Sequence, residues 1–236
     1  MSFIISVYVG EGIVLASDSR TTYGNTQTID GQMIMQFGVH TTDTTDKTFL
    51  CPNGCGIATC GDATVDNSPI TSKIQAFIRE KITPDTSILD MPKLLVEYFS
   101  QLLSTLNTTF IIAGYSKENG KSYQKIYRVR FAGGSIEDID TQHQGAVWDG
   151  ESMTLIKLIQ PVALKNPDNT YDDLPTNEIS WNYFTLQDAV DYAKFAVETT
   201  INTMRFQNVV KTVGEPIDIL VIQPENSYWL SKKELQ

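Results

Sequence analysis

Residues 3–17 constrain the fold more tightly than any other stretch of the chain. Two β-rich runs, Phe3–Val9 and Ile13–Ser17, flank Gly10-Glu11-Gly12, which is the composition of a tight turn between antiparallel strands. The chain therefore opens on a hairpin, and Ser2 sits at its leading edge. Removal of Met1 leaves Ser2 carrying a free α-amine and a hydroxyl on one residue. An α-amine titrates at about 7.7–8.0 in model compounds, so near neutral pH part of it is unprotonated and able to act as a general base toward its own hydroxyl.

After Arg20, residues 21–46 are polar and rich in Thr, Gly and Asp, with an apolar island at Met33–Phe37. This reads as a pair of short strands or a long flap, and segments of this length often cover a site. Asn53-Gly54 marks a hairpin between Phe49–Cys51 and Gly56–Thr59. Ile70, Ile74, Phe77, Ile78 and Ile82 recur at helical spacing, with Ser68 as the expected cap and Pro69 in the first turn. A second helix is expected over Met91–Leu106, capped by Asp90. Its apolar arc, including Leu94, Leu95, Phe99, Leu102 and Leu103, is wide enough to meet a sheet and also a helix or a neighbouring subunit.

Thr108–Tyr115 reads as a buried strand and Tyr123–Phe131 as a half-exposed one, joined through Lys117-Glu-Asn-Gly120. Gly133-Gly134 turns the chain into Ser135–Asp140. A short amphipathic helix follows at Ser152–Ile159, then a Pro- and Asn-rich connection whose Asp172-Asp173 reads as solvated surface. Thr185 caps a long helix over Leu186–Phe206, and Gly214–Ile222 closes as a strand. Strands, two helices, strands, two helices and a strand describe a layered α+β protein rather than a βαβ alternation. At 236 residues the whole chain, 1–236, is expected to be one domain, with residues 224–236 peripheral.

Eighteen Lys and Arg against 28 Asp and Glu give a net charge of −10, which argues against nucleic acid or an anionic membrane as partner. No apolar run approaches a membrane span. Ser2–Val9 contains no basic residue of the kind that opens a signal peptide, so a cytoplasmic protein is expected. Cys51, Cys55 and Cys60 lie close together, but the two histidines, His40 and His143, are distant in sequence and no second pair of ligands accompanies Cys51 and Cys55. Neither a metal nor a cofactor is expected, and the cysteines read as small buried hydrophobes.

Gly-Ile-Val-Leu-Ala-Ser-Asp-Ser-Arg at 12–20, Lys47-Thr-Phe and Ile57-Ala-Thr-Cys-Gly-Asp-Ala63 together resemble the proteasome β-subunit and HslV branch of the N-terminal nucleophile hydrolases, the bacterial β-proteasome homologues most of all. The resemblance implies a four-layer αββα sandwich. It places Ser2 at the nucleophile, Asp18 at the catalytic aspartate, Lys47 at the catalytic lysine and Gly61 at the oxyanion-hole glycine, with Arg20 supporting the turn. It further implies a peptide or unfolded-protein substrate and a homo-oligomeric ring, and leaves open whether an ATPase cooperates. Upstream of Val213-Gly214, where the family has an aspartate, this chain has Asn208, Lys211 and Thr212. Two other readings stay open: a non-catalytic ring or scaffold subunit of the same fold, and a hydrolase of small amides from another N-terminal nucleophile branch.

Overall fold

The structure is a computed structural model that describes residues 2–29, 32–66, 68–102 and 106–234, with the side chains of residues 25–29, 33–35 and 37 also left undescribed. Met1 and Leu103 lie outside the described residues. The opening hairpin forms as β1 (Phe3–Val9) and β2 (Gly12–Ser17). A second, longer hairpin follows, β3 (Thr21–Ile29) and β4 (Gln32–Thr42), so residues 21–46 are a strand pair. Then come β5 (Thr48–Leu50), β6 (Gly56–Gly61), the small ladder of β7 (Thr64–Val65) and β8 (Ser68–Pro69), and the helices α1 (Ile70–Lys81) and α2 (Met91–Leu102). Strands β9 (Thr108–Glu118), β10 (Lys121–Arg130), β11 (Ser135–Asp138) and β12 (Gly145–Gly150) lead to α3 (Met153–Ile159). A hairpin of β13 (Ala163–Lys165) and β14 (Tyr171–Asp173), the long helix α4 (Leu186–Phe206), β15 (Asp218–Ile222) and β16 (Ser227–Ser231) complete the chain.

Two five-stranded sheets carry this mixed α+β fold, ordered β12-β1-β2-β15-β16 and β11-β10-β9-β6-β5. The pleat sorts β1 into two faces. Phe3, Ile5 and Val7 pack with Ala189, Ala193, Ala196 and Val197 of α4. Ile4 and Tyr8 pack with Ala58, Ile111, Ala113 and Ile126 of the other sheet. On that sheet's opposite face, Phe49, Ile57, Phe110 and Ile112 meet Ile74 and Phe77 of α1 and Leu95 and Phe99 of α2. The small side chains along α4 let it lie close to its sheet. Its start is fixed by a capping box in which the Thr185 hydroxyl accepts from the Asp188 N–H and the Asp188 carboxylate accepts from the Thr185 N–H. Asn119 and Gly120, at φ 51° and 76°, make the mirror-image turn that suits the twist of β9 and β10.

Four differences from the sequence reading stand out. Ser68 does not cap α1: Pro69 is the cap residue, and Ser68 and Pro69 pair with Val65 and Thr64. Gly145–Gly150 is a strand, paired with β1 along its whole length from Tyr8↔Gly145 to Phe3↔Gly150. The connection from Pro161 contains a hairpin. Residues 227–231, expected to be peripheral, extend the first sheet by pairing with β15. Gly145–Gly150 takes its order from a strand distant in sequence, whereas the other three pair with near neighbours along the chain that the residue pattern alone did not mark as strands.

Candidate active site

The site is built at the open end of the first hairpin. The Ile4↔Ser17 register places Asp18 just beyond the strand end and beside the start of β1. There the Asp18 N–H donates to Phe3 O at 3.3 Å, and the Phe3 N–H donates to Asp18 Oδ1 at 3.0 Å. The other carboxylate oxygen, Oδ2, accepts from the Arg20 N–H at 3.0 Å and from the Gly214 N–H at 3.1 Å. Asp18 is fully buried, and three backbone donors satisfy it as burial requires.

The fourth donor is Lys47. Its Nζ reaches Asp18 Oδ1 at 2.8 Å and also donates to Arg20 O, with 4% of the lysine side chain exposed. Lys47 stands immediately before β5 and is held there because the Thr59 N–H of β6 donates to Lys47 O at 2.9 Å. The next residue, Thr48, donates through Oγ1 to Ser17 Oγ at 2.8 Å, which ties β5 to the end of β2. Burial pulls the proton affinity of the Lys47 ammonium below that of an ordinary lysine, while the charge and hydrogen bond of Asp18 work against that loss.

Arg20 serves this pair through its backbone, whose N–H and C=O contact Asp18 and Lys47 respectively. Its guanidinium turns outward and grips Asp43 with two bonds of 2.6 and 2.8 Å. That grip raises the pKa of the arginine and lowers that of Asp43.

Ser2, Thr21, Lys47, Thr59, Cys60 and Gly61 line one cavity of about 260 Å³. Gly61 ends β6 at φ +123°, with the place a Cβ would take only 2.2 Å from Asn107 O, so no other residue fits there. Burial, with Asp149 next in effect, pushes the Cys60 thiol well above the ordinary thiol range, which makes it a poor nucleophile despite its position.

The structure thus brings Ser2, Asp18, Lys47 and Gly61 to one place, with Arg20 directly behind them. It leaves Lys211 apart: its ammonium donates to Met204 O and Gln207 O at the end of α4. Two contributors escaped the sequence reading. One is Gly214, through its N–H to Asp18. The other is the Gly150–Glu151 corner, where the Glu151 N–H donates to Ser2 O at 2.8 Å and Gly150 sits at φ +91°. The glycine flanks of Gly145–Gly150 were the available signal for a close backbone approach. A Cβ at Gly150 would lie 1.9 Å from Ser2 O. Gly150→Ala is therefore expected to destabilise the protein by about 1–3 kcal/mol or more, from backbone strain and displacement of Ser2, read as a lower urea midpoint with an unchanged slope.

Among the described residues, no group of three or more His, Cys, Asp or Glu is placed to hold a metal ion, and no helix is long and apolar enough to cross a membrane.

No protein-family model matches the chain and no curated protein matches it. Solved structures do. Anbu (ancestral beta-subunit) from Yersinia bercovieri is 16% identical, covering 98% of this chain and 87% of that one, with a TM-score of 0.59. An Anbu mutant from Hyphomicrobium sp. strain MC1 is 13% identical over 98% and 87% of the two chains, with a TM-score of 0.60. Another Anbu structure from the same organism is 12% identical over 98% and 88%, with a TM-score of 0.56. At such identities the likeness is one of fold. It corrects the resemblance drawn from the motifs: the neighbours are Anbu proteins, a proteasome-like but distinct group, and not the proteasome β-subunit and HslV branch. The motifs misled because they are a few residues each and describe the corner around a buried Lys–Asp pair, whereas the fold comparison draws on nearly the whole chain.

Proposed function

We propose that this chain is an N-terminal nucleophile hydrolase with an Anbu-like fold, acting on peptide or other amide bonds through Ser2 once Met1 has been removed. The observation that carries this reading is the buried Lys47–Asp18 pair, whose lysine lines the same cavity as Ser2 and Gly61. A buried ammonium is costly unless it is well partnered, and here it belongs to a residue that lines the same cavity as Ser2.

In this mechanism Ser2 Oγ attacks the substrate carbonyl carbon while its proton passes to the Ser2 α-amine. The tetrahedral oxyanion is held by the Gly61 N–H, a contribution of about 3–4 kcal/mol in comparable sites. As the C–N bond breaks, the proton moves from the α-amine to the leaving nitrogen, and an ester remains on Ser2. Water then attacks that ester, giving up a proton to the α-amine, and the Ser2–acyl bond breaks as Oγ recovers a proton. Lys47 lowers the proton affinity of hydroxyl and amine by its charge, and Asp18 fixes its position.

The three packing clusters support an αββα sandwich as the architecture, in a single domain. The acidic balance supports neither nucleic acid nor an anionic membrane as partner, three free buried cysteines fit a reducing cytoplasm, and the half-buried Leu94, Val96, Tyr98 and Leu102 of α2, which pack against the core, are compatible with a homo-oligomeric ring. One neighbour is described as an ancestral beta-subunit, which supports a role as a subunit of an assembly, and a non-catalytic subunit is the second reading. Turnover of labelled peptides and a panel of small amides by protein whose intact mass shows Met1 removed tests these readings; absence of turnover with every substrate favours the subunit reading.

A pH profile follows from the site. The catalytic form needs the α-amine neutral and Lys47 charged, so the rate falls at high pH as Lys47 loses its proton. Because burial lowers the lysine's proton affinity, that limb is expected below the ordinary lysine value of about 10.4, measured as kcat/KM against pH with a substrate that does not itself titrate.

A further inference from the structure

A second buried ion pair lies back to back with Lys47–Asp18, and the chemistry above does not use it. Strand β15 pairs with β2 so that Asp218 stands opposite Ser17, the residue before Asp18. Asp218 is fully buried. Its Oδ1 accepts from the Lys233 N–H at 2.9 Å, and its Oδ2 accepts from the Lys233 ammonium. The same ammonium lies 3.3 Å from Asp46 Oδ1, and Asp46 is the residue before Lys47. Lys232 Nζ holds that oxygen at 2.9 Å while lying over the Trp229 ring of β16, 4.3 Å from its centroid. Lys233 thus contacts the sequence neighbour of each side chain in the Lys47–Asp18 link: Asp46 directly, and Ser17 through the strand partner Asp218.

A lysine with a side chain 9% exposed is unusual, since lysines almost always keep their charge in water. Burial of such a pair is weak evidence of a gain in stability, because apolar side chains commonly do as well. What the pair does accomplish is geometric: it fixes residue 46 against the end of the β2–β15 ladder.

We propose that Lys233 is a positioning residue for Lys47, clamping Asp46, the residue before it, to Asp218 and bringing a second positive charge to that corner. This rests on the function proposed above for the role of Lys47, though the clamp itself does not. The charged and titratable groups acting around Lys47 are Asp18, Cys60, Asp43 and Lys233. Asp18 favours its protonated form, whereas Lys233 opposes it, in the same direction as burial; Cys60 stays a neutral thiol.

The test uses the full chain labelled with 13C-lysine, with the Lys47 Cε resonance assigned by its absence in Lys47→Arg. In Lys233→Met the Lys47 titration is expected to move to higher pH, because a repelling charge has gone. Lys233→Arg keeps the charge and is expected to leave the titration in place. In the hydrolysis assay Lys233→Met is expected to lower kcat by about 10- to 100-fold, as loss of alignment does, with KM within about twofold and the alkaline limb moved up. Should Lys233→Met fail to fold, Lys233→Met with Asp218→Asn removes the stranded carboxylate, and the titration is expected to move in the same direction, since Lys233 and not Asp218 acts on Lys47.

An unmoved Lys47 titration in the folded variants overturns the proposal, as does an equal kcat loss in Lys233→Met and Lys233→Arg. A moved titration in a protein that turns over no substrate even as wild type supports the clamp and defeats the hydrolase reading, so the two fail separately.

Discussion

Ser2→Ala is expected to abolish hydrolysis, lowering kcat by on the order of 10⁴-fold or more, the scale seen when a nucleophile acting as part of a unit is removed. The variant still offers a terminal α-amine once Met1 is removed, and it keeps the Lys47–Asp18 pair and Gly61, so what is lost is the atom that forms the ester. Its effect on stability is expected to stay within about 0.5 kcal/mol, because no hydrogen bond to the Ser2 hydroxyl forms among the described residues and only one oxygen at the cavity wall is deleted. Paired measurements separate the possibilities: turnover, intact mass and urea unfolding on wild type and variant. Retained turnover in Ser2→Ala, or wild-type turnover with Met1 still attached, rules out the terminal-serine mechanism.

The second large effect is on stability. Lys47→Met removes the cation from a carboxylate that is fully buried, and stranding one member of a buried pair typically costs about 3–5 kcal/mol. Asp18 keeps the N–H groups of Phe3, Arg20 and Gly214, so the lower end of that range is expected. Methionine fills most of the volume left by lysine, so the loss reports charge more than a cavity. Urea unfolding reads it directly. Adding Asp18→Asn is expected to recover part of the deficit, since the stranded charge goes with it, and that non-additivity marks the pair as coupled. Hydrolysis is expected to be lost in both variants. A Lys47→Met protein as stable as wild type contradicts the packing described for this corner.

Legibility in the sequence followed the range of the interaction. The hairpin of β1 and β2 was readable because its two β-rich runs and the glycine turn between them lie within fifteen residues. The start of α4 was readable because the Thr185 cap acts on its own first turn. The turn at Asn53-Gly54 was readable because Gly54, at φ +79°, meets a local requirement. Gly145–Gly150 was not, since a six-residue strand flanked by glycines becomes one only when β1 lies alongside. Ser68 was misassigned for a different, local reason: its pairing with Val65 outweighed its tendency to cap a helix. The site divides likewise. Asp18, Lys47 and Gly61 were named through motifs, while Gly214 and the Gly150–Glu151 corner act through backbone whose importance depends on the residues brought against it.

Sequence alone determined the strand and helix segments with strong periodicity, the acidic balance, and the presence of a serine, an aspartate, a lysine and a glycine in a suggestive order. Only the tertiary structure decided that Lys47 and Asp18 form a buried pair, that Lys233 reaches both Asp46 and Asp218, and that the neighbours of this fold are Anbu proteins. The physical reason is that periodicity and capping are settled within one or two turns of chain. The position and proton affinity of a buried charge depend instead on groups brought together from across the chain, here from residues 18, 47, 214 and 233.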